Sequence, residues 1–290
     1  MSAHIDRVYL FSYFKGHGDG LHLAWSEDAF HWRALNDDAP LVTPEVGAEK
    51  LMRDPFILPA RDGVFHLVWT AGWRGNGIGY ACSDDLVRWS AQQFLPVMEH
   101  EPDVQNCWAP EIFYDETEDQ FVIYWASSIP GRFPETDHLG DEGLNHRMYC
   151  TTTRDFKTFS RARLFYDGGF NVIDATLVKD DNRYLLFMKN ETSSPCEKNI
   201  RVAVGDGIFG EFRDVSAPIT GSYWAEGPSA LKVDGRWIVY FDKYKMNAFG
   251  AVSSYDLGHW EDISERVHFP SGCQHGSVTP VAHARIRHLL

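Results

Sequence analysis

The sequence has no excess of basic residues. Its 290 residues carry 27 Lys and Arg against 41 Asp and Glu, a formal net charge of -14. Nucleic acid and anionic membrane surfaces need a basic footprint, so both are excluded as partners, while a neutral ligand suits such a surface. A cysteine framework is also lacking. Cys82, Cys107, Cys150, Cys196 and Cys273 are odd in number and show neither close pairing nor zinc-type spacing, which reads as buried or semi-buried free thiols in a reducing compartment. No apolar stretch follows a basic start at Met1–Arg7, so no secretion signal is read. No run approaches the roughly 18 apolar residues of a membrane span. A cytoplasmic protein is expected. Amphipathic helix is missing as well, since no segment shows a 3.6-residue apolar period.

What is present is apolar and aromatic. Hydrophobic residues make up 44% of the chain and aromatics 14%, ample for a packed core, and they fall into five copies of one pattern. Each copy ends in a polar turn closed by an aromatic: Ser26 to Trp32, Ser83 to Trp89, Thr153 to Phe159, Gly205 to Phe212 and Ser254 to Trp260. The closing aromatics recur at roughly 50 to 70 residues, a spacing that suits four-stranded propeller blades with variable loops. Before each turn lies a short aromatic and β-branched run: Tyr9–Phe14, Phe65–Thr70, Phe121–Ala126, Tyr184–Lys189 and Trp237–Asp242. These read as buried strands. Upstream of four runs comes a third element, beginning Asp54-Pro55, Pro110-Glu111, Asp174-Ala175 and Glu226-Gly227. The first copy lacks it, and the missing piece is found at the other end as His275 to Ala282. One all-β domain over residues 1–290 is therefore expected, a five-bladed β-propeller in which the last strand completes the first blade and closes the ring.

That topology gathers acidic residues. The first strand of each blade lines the channel, so Asp54, Glu111, Asp174, Glu226 and His275 stand at or near one mouth of it. Four carboxylates at close quarters repel one another unless they share a purpose or bind a cation, which makes the mouth a candidate functional site. Loops between second and third strands open on the same end and bring His17, Trp73, Arg132, His146, Asn190 and Lys243 towards it. Aromatics mixed with hydrogen-bonding groups suit a sugar, apolar on its ring face and polar at its rim. The segment from Ser127 to Arg147 exceeds a plain connection; it reads either as a lid or as a passive surface loop.

With Arg53-Asp54-Pro55, Trp108-Ala109-Pro110-Glu111, Ile173-Asp174-Ala175, Glu226-Gly227-Pro228 and His275-Gly276-Ser277 in this order, the chain resembles the short members of glycoside hydrolase family 43 over nearly its whole length. The resemblance implies an inverting mechanism with Asp54 as general base, Glu226 as general acid and Asp174 as the residue that orients the acid and modulates its ionisation. Inversion needs a base to activate water on one face of the sugar and an acid to protonate the leaving oxygen on the other. Arg53 stands where His or Ala is usual, and its charge favours an ionised Asp54. Arg-Asp-Pro also occurs in invertase-type propellers, but the Asn-Asp-Pro nucleophile motif of those retaining enzymes is missing. Glu111 replaces a more usual Asp and reads as pocket-shaping. Arg53, Trp73, Trp108, Glu111, Asn190 and Trp224 are the candidate substrate-binding residues. His275 resembles the family's channel histidine, which implies a structural calcium held through water, although no cluster of oxygen ligands supports it independently; no cofactor is otherwise required. The expected activity is exo-acting α-L-arabinofuranosidase on small oligosaccharides. β-Xylosidase activity or a non-catalytic carbohydrate-binding propeller are the alternatives.

Overall fold

The computed structural model describes residues 7–290; the reading of Met1 to Asp6 as free of a signal lies outside them. Strands β1 (Arg7–Phe14), β2 (His22–Ser26) and β3 (Arg33–Ala34) begin the first sheet. The second is β4 (Arg53–Pro59), β5 (Phe65–Thr70), β6 (Ile78–Ser83) and β7 (Gln93–Leu95). Strands β8 (Trp108–Asp115), β9 (Gln120–Ser128), β10 (His146–Thr153) and β11 (Arg163–Tyr166) form the third, and β12 (Val172–Asp180), β13 (Arg183–Asn190), β14 (Asn199–Gly205) and β15 (Phe212–Arg213) the fourth. The fifth is β16 (Glu226–Val233), β17 (Arg236–Lys243), β18 (Ala248–Ser254) and β19 (Glu261–Asp262), after which β20 (Gln274–Ala282) returns to pair antiparallel with β1. The result is five four-stranded antiparallel sheets, the first in the order β20-β1-β2-β3. The molecule is a five-bladed β-propeller closed as expected. The only α-helix among the described residues is the single turn His283–Ile286, and none there is long and apolar enough to cross a membrane.

Five apolar clusters hold the ring, one at each seam between neighbouring blades. Both faces of every middle strand are therefore buried, which is why the runs are continuously apolar instead of alternating; β5 has no exposed residue at all. The closing seam is aromatic: Phe11 of β1 packs at 4.8 Å from Phe269, itself stacked 5.2 Å from Trp32, and Tyr240 of β17 completes the group. Aromatic pairs of this kind contribute about 0.5–1.5 kcal/mol each beyond area burial.

The polar turn has one construction in four blades. Ser26 Oγ accepts the Ala29 amide at 2.9 Å, while Asp28 Oδ1 accepts those of Phe30 and His31, both at 2.8 Å. Ser83 with Asp85, Thr153 with Asp155 and Ser254 with Asp256 repeat this. These hydroxyl and carboxylate acceptors satisfy turn amides that have no strand partner.

Each innermost strand also carries a β-bulge near its start. Arg53 faces Thr70, but Phe56 faces Val68, so one extra residue is accommodated. The same slip occurs at Trp108–Glu111, Ile173–Thr176, Glu226–Ser229 and Gln274–Ser277. The second bulge residue is left-handed in four blades: Asp54 (φ 52°), Ala109 (46°), Asp174 (50°) and Gly227 (58°). That conformation costs a non-glycine residue about 1–2 kcal/mol, and Asp tolerates it better than Ala. Asp54, Ala109, Asp174, Gly227 and His275 thus occupy one ring of equivalent positions.

Removing residues 273–290 should therefore open the ring, stripping β1 of its partner and the closing seam of Cys273 and Val278. The expected result is loss of the cooperative thermal transition by circular dichroism. A truncated chain that melts cooperatively near the full-length temperature would contradict the closure.

Candidate active site

The site is built on that ring of bulges. His275 Nδ1 lies 3.1 Å from Asp54 Oδ1 and 3.8 Å from Asp174 Oδ2, so one imidazole nitrogen serves two carboxylates from different blades. Thr70 Oγ1 donates to Asp54 Oδ2 at 2.6 Å and accepts the Ala109 amide at 2.8 Å. The Gly227 amide donates to Asp174 at 3.1 Å, and the His275 amide to Asp242 at 3.1 Å. Glycine at 227 is required twice over: its φ is positive, and a Cβ there would come within 2.4 Å of the His275 ring. Lys189 Nζ donates to Glu226 Oε2 at 2.9 Å. Asp54, Asp174, Glu226 and His275 are thereby brought together at the channel mouth, joined by Asp242.

The ionisation pattern follows. Burial opposes charge on Asp54, but the His275 charge and hydrogen bond, Arg53 and Thr70 outweigh it and bring the carboxyl down to about 2. Burial also disfavours a charged His275, yet Asp54, Asp174 and Glu226 push the ring up to about 10. Asp174 is pushed up to about 6, chiefly by burial, with His275 and Lys189 opposing and Glu226 and Asp54 adding to the rise. Asp242 is pushed up to about 7 by burial and then by Glu226. The mouth therefore holds one firmly ionised carboxylate, two neighbours of raised proton affinity, and an imidazolium between them.

Beside these groups lies a cavity of about 240 Å³ lined by Arg53, Glu226, Asp242, Tyr244, Asn247 and Gln274, among others. Arg53 is sandwiched between the rings of Phe14 (4.4 Å) and Trp73 (4.6 Å). Trp73 is 46% exposed and meets Trp108 edge-to-face at 5.9 Å, forming an aromatic wall. Trp224 is also exposed, 5.8 Å from Tyr244 and flanked by Lys198 and Lys245. A larger cavity of about 430 Å³ opens at the far ends of the inner strands, lined by Phe56, Leu58, Ile112, Leu177 and Val278 with Glu116 at its edge. The carboxylate cluster is at the opposite mouth.

Several expected site residues stand elsewhere. Glu111 is the fourth residue of its bulge, where Asp54 is the second, so it sits deeper. Its Oε2 accepts hydroxyls from Tyr124 and Thr176, both at 2.7 Å, and it takes no part in the mouth. Asn190 is buried, its Oδ1 engaged by the Thr192 amide of its own loop. His146 lies beneath Trp108, held by Asn106 and Asn171. Arg132 pairs with Glu101 and Lys243 turns to Tyr223, while His17 is exposed on its loop. The 127–147 segment is tied down: Ser193 donates to Leu139 and Gly140 carbonyls, Lys198 pairs with Asp141, and fully buried Arg147 bonds Asn145, Thr136 and Asp167. These anchors favour the passive-loop reading over the lid. Cys196 is exposed, whereas Cys107, Cys150 and Cys273 are buried and Cys82 half-buried, all as free thiols.

His275 Nδ1 is engaged by Asp54 and Asp174, which leaves the other ring nitrogen for the calcium-bound water that the resemblance implies. No group of three or more His, Cys, Asp or Glu side chains suited to a metal occurs among the described residues.

Five blades with buried acids at one channel mouth define a glycosidase-type propeller. The family model described as "Probable glycosyl hydrolase domain", related to glycoside hydrolase family 43, matches residues 6–286. The chain belongs to that family. It is 24% identical over 250 residues to an α-L-arabinofuranosidase of Bifidobacterium longum subsp. longum, covering 77% of this chain but only 23% of that protein. Among solved structures it is similar to an α-L-arabinofuranosidase from Lactobacillus brevis (TM-score 0.59, 20% identity, 79% of this chain and 74% of that one). A thermostable family-43 glycoside hydrolase gives TM-score 0.61 at 17% identity, over 83% and 82% of the two chains. At such identities the structures establish the shared fold.

Burial holds the Glu111 proton affinity up at about 7 against an ordinary 4.5. The folded chain keeps this proton where the unfolded chain has lost it, so the stability it contributes is complete below about pH 4.5 and lost as pH rises through about 7. Glu111→Gln removes that dependence. Its stability relative to wild type should rise by roughly 3 kcal/mol between pH 4.5 and 7.5 in denaturant unfolding; a difference that stays constant with pH would contradict a buried neutral Glu111.

Proposed function

We propose that this protein is an inverting, exo-acting glycoside hydrolase, with α-L-arabinofuranosyl groups of small oligosaccharides as its substrate. The observation that carries the reading is the division of labour among the carboxylates. Asp54 is held ionised by His275, Arg53 and Thr70, as a base that must accept a proton from water requires. Glu226 stands on another blade at the lip of the cavity, which supports its reading as the acid, and Asp174 is linked to His275 and the Gly227 amide. In the proposed reaction Glu226 protonates the glycosidic oxygen as the bond from the anomeric carbon breaks. Water attacks the opposite face and gives its proton to Asp54, so the product has inverted configuration.

A cavity of about 240 Å³ is smaller than the 300–1,000 Å³ typical of drug-sized ligands and suits one sugar ring, which supports exo action. Arg53 and Asp242 offer hydrogen bonds inside it, while Trp73, Trp108 and Trp224 supply apolar faces outside. The choice of arabinose is supported by the relatives named above.

Asp54→Ala and Glu226→Ala should each lower kcat at least ~10²-fold, and NMR of the first product formed should show the anomer opposite to that of the substrate. In a panel of nitrophenyl glycosides the α-L-arabinofuranoside should be cleaved fastest. Preference for the β-xyloside would move the assignment to xylosidase, a product of retained configuration would reject the mechanism, and binding without hydrolysis of any glycoside would make the protein a carbohydrate-binding propeller.

A further inference from the structure

Lys189 is the penultimate residue of β13, directly after the apolar run Leu185–Met188, and its ammonium is almost entirely buried. Burying a cation is unfavourable by several kcal/mol unless it is well paired, and this one has two partners. Its Nζ lies 2.9 Å from Glu226 Oε2 and 2.6 Å from Glu191 Oε2. Glu191 is in turn held by Lys198, 2.6 Å away and equally buried, and Lys198 pairs with Asp141 of the 127–147 segment. Tyr244 packs over Lys189 at 4.6 Å. The two ends of this chain differ: Glu191 is fixed from both sides, whereas Glu226 has only the ammonium and borders the open cavity.

Resting on the reading of Glu226 as the general acid, we propose that Lys189 is a positioning residue that holds the Glu226 carboxyl and stabilises the charge it acquires on giving up its proton. As the Glu226 O–H bond breaks, the proton passes to the glycosidic oxygen and the electron pair of the breaking C–O bond goes to the leaving alcohol. The carboxylate left behind sits against a preorganised, buried ammonium, which needs no reorganisation as the proton leaves. Glu191 makes this workable. While Glu226 still carries its proton, Lys189 remains paired with Glu191 and is never left as an uncompensated buried charge. The other charged or titratable groups facing Glu226 are Asp174, Asp242, His275 and Tyr244, with Arg53 across the cavity; none is a cation within ion-pair distance of it.

The test is Lys189→Met, with Lys189→Arg as the charge-retaining control, assayed on aryl arabinofuranosides of graded leaving-group ability. For a poor leaving group, kcat should fall about 10- to 100-fold with KM little changed. For dinitrophenolate, which leaves without a proton, kcat should fall less than about 3-fold. Lys189→Arg should recover most of the loss on the poor leaving group. If Lys189→Met does not fold, Glu191→Gln reads the same dependence on leaving group through a loosened Lys189. Equal loss on all leaving groups, or no recovery with Lys189→Arg, would mean a merely structural lysine and overturn the proposal. A wild type inactive on every glycoside would instead overturn the hydrolase reading, and this inference with it.

Discussion

The pairing of β20 with β1 is the constraint on which the rest depends, because the strand that closes the ring also carries His275 into the acid cluster. Two unit charges 4 Å apart interact by about 4 kcal/mol at the effective dielectric of a partly buried site. Asp54, Asp174, Asp242 and Glu226 could not share one channel mouth as four anions. His275 answers one part of this repulsion by lying against Asp54 and Asp174, and its backbone amide ties Asp242. Lys189 answers another at Glu226. The remaining repulsion shows as raised proton affinity on Asp174 and Asp242. Ring closure and the electrostatics of the site are one arrangement.

The bulges explain why the side chains converge at all. A regular strand would alternate its residues between the two faces of the blade. The extra residue and left-handed backbone at Asp54 and Asp174 re-aim those side chains towards the channel mouth, the use to which bulges are put beside active sites. In blade three the same position is Ala109, which contributes only an amide, and in blade five it is Gly227, whose missing side chain leaves room for the His275 ring. One backbone device thus yields two buried carboxylates, two amide donors and an imidazole at one mouth.

Much of this was legible in the sequence. The Ser/Thr-x-Asp turns with their closing aromatics mark four of the five blades because their hydrogen bonds are local, and the middle strands read clearly because both faces are buried. The convergence of Asp54, Asp174, Glu226 and His275 follows from strand order alone. The depth of Glu111 does not: two residues along a bulged strand separate the mouth from the channel wall, and a motif alignment does not register that offset. The directions of Asn190, His146 and Arg132 were equally hidden, since loop side chains are aimed by contacts distant in sequence. Thr70, Lys189 and Asp242 were missed although a signal existed. All three end otherwise apolar runs, each opposite the first bulge residue of its own blade.

The account stands on a charged His275 bridging two carboxylates, and its ring titration tests this most directly. Long-range proton–nitrogen spectra of histidine-labelled protein, with His275 assigned by comparison with His275→Gln, should show the ring protonated through neutral pH and titrating near pH 10, with a marked fall in Asp54→Asn. A His275 that titrates at or below its ordinary value of about 6.5, with Asp54 intact, would contradict the bridge and the division of charge built upon it.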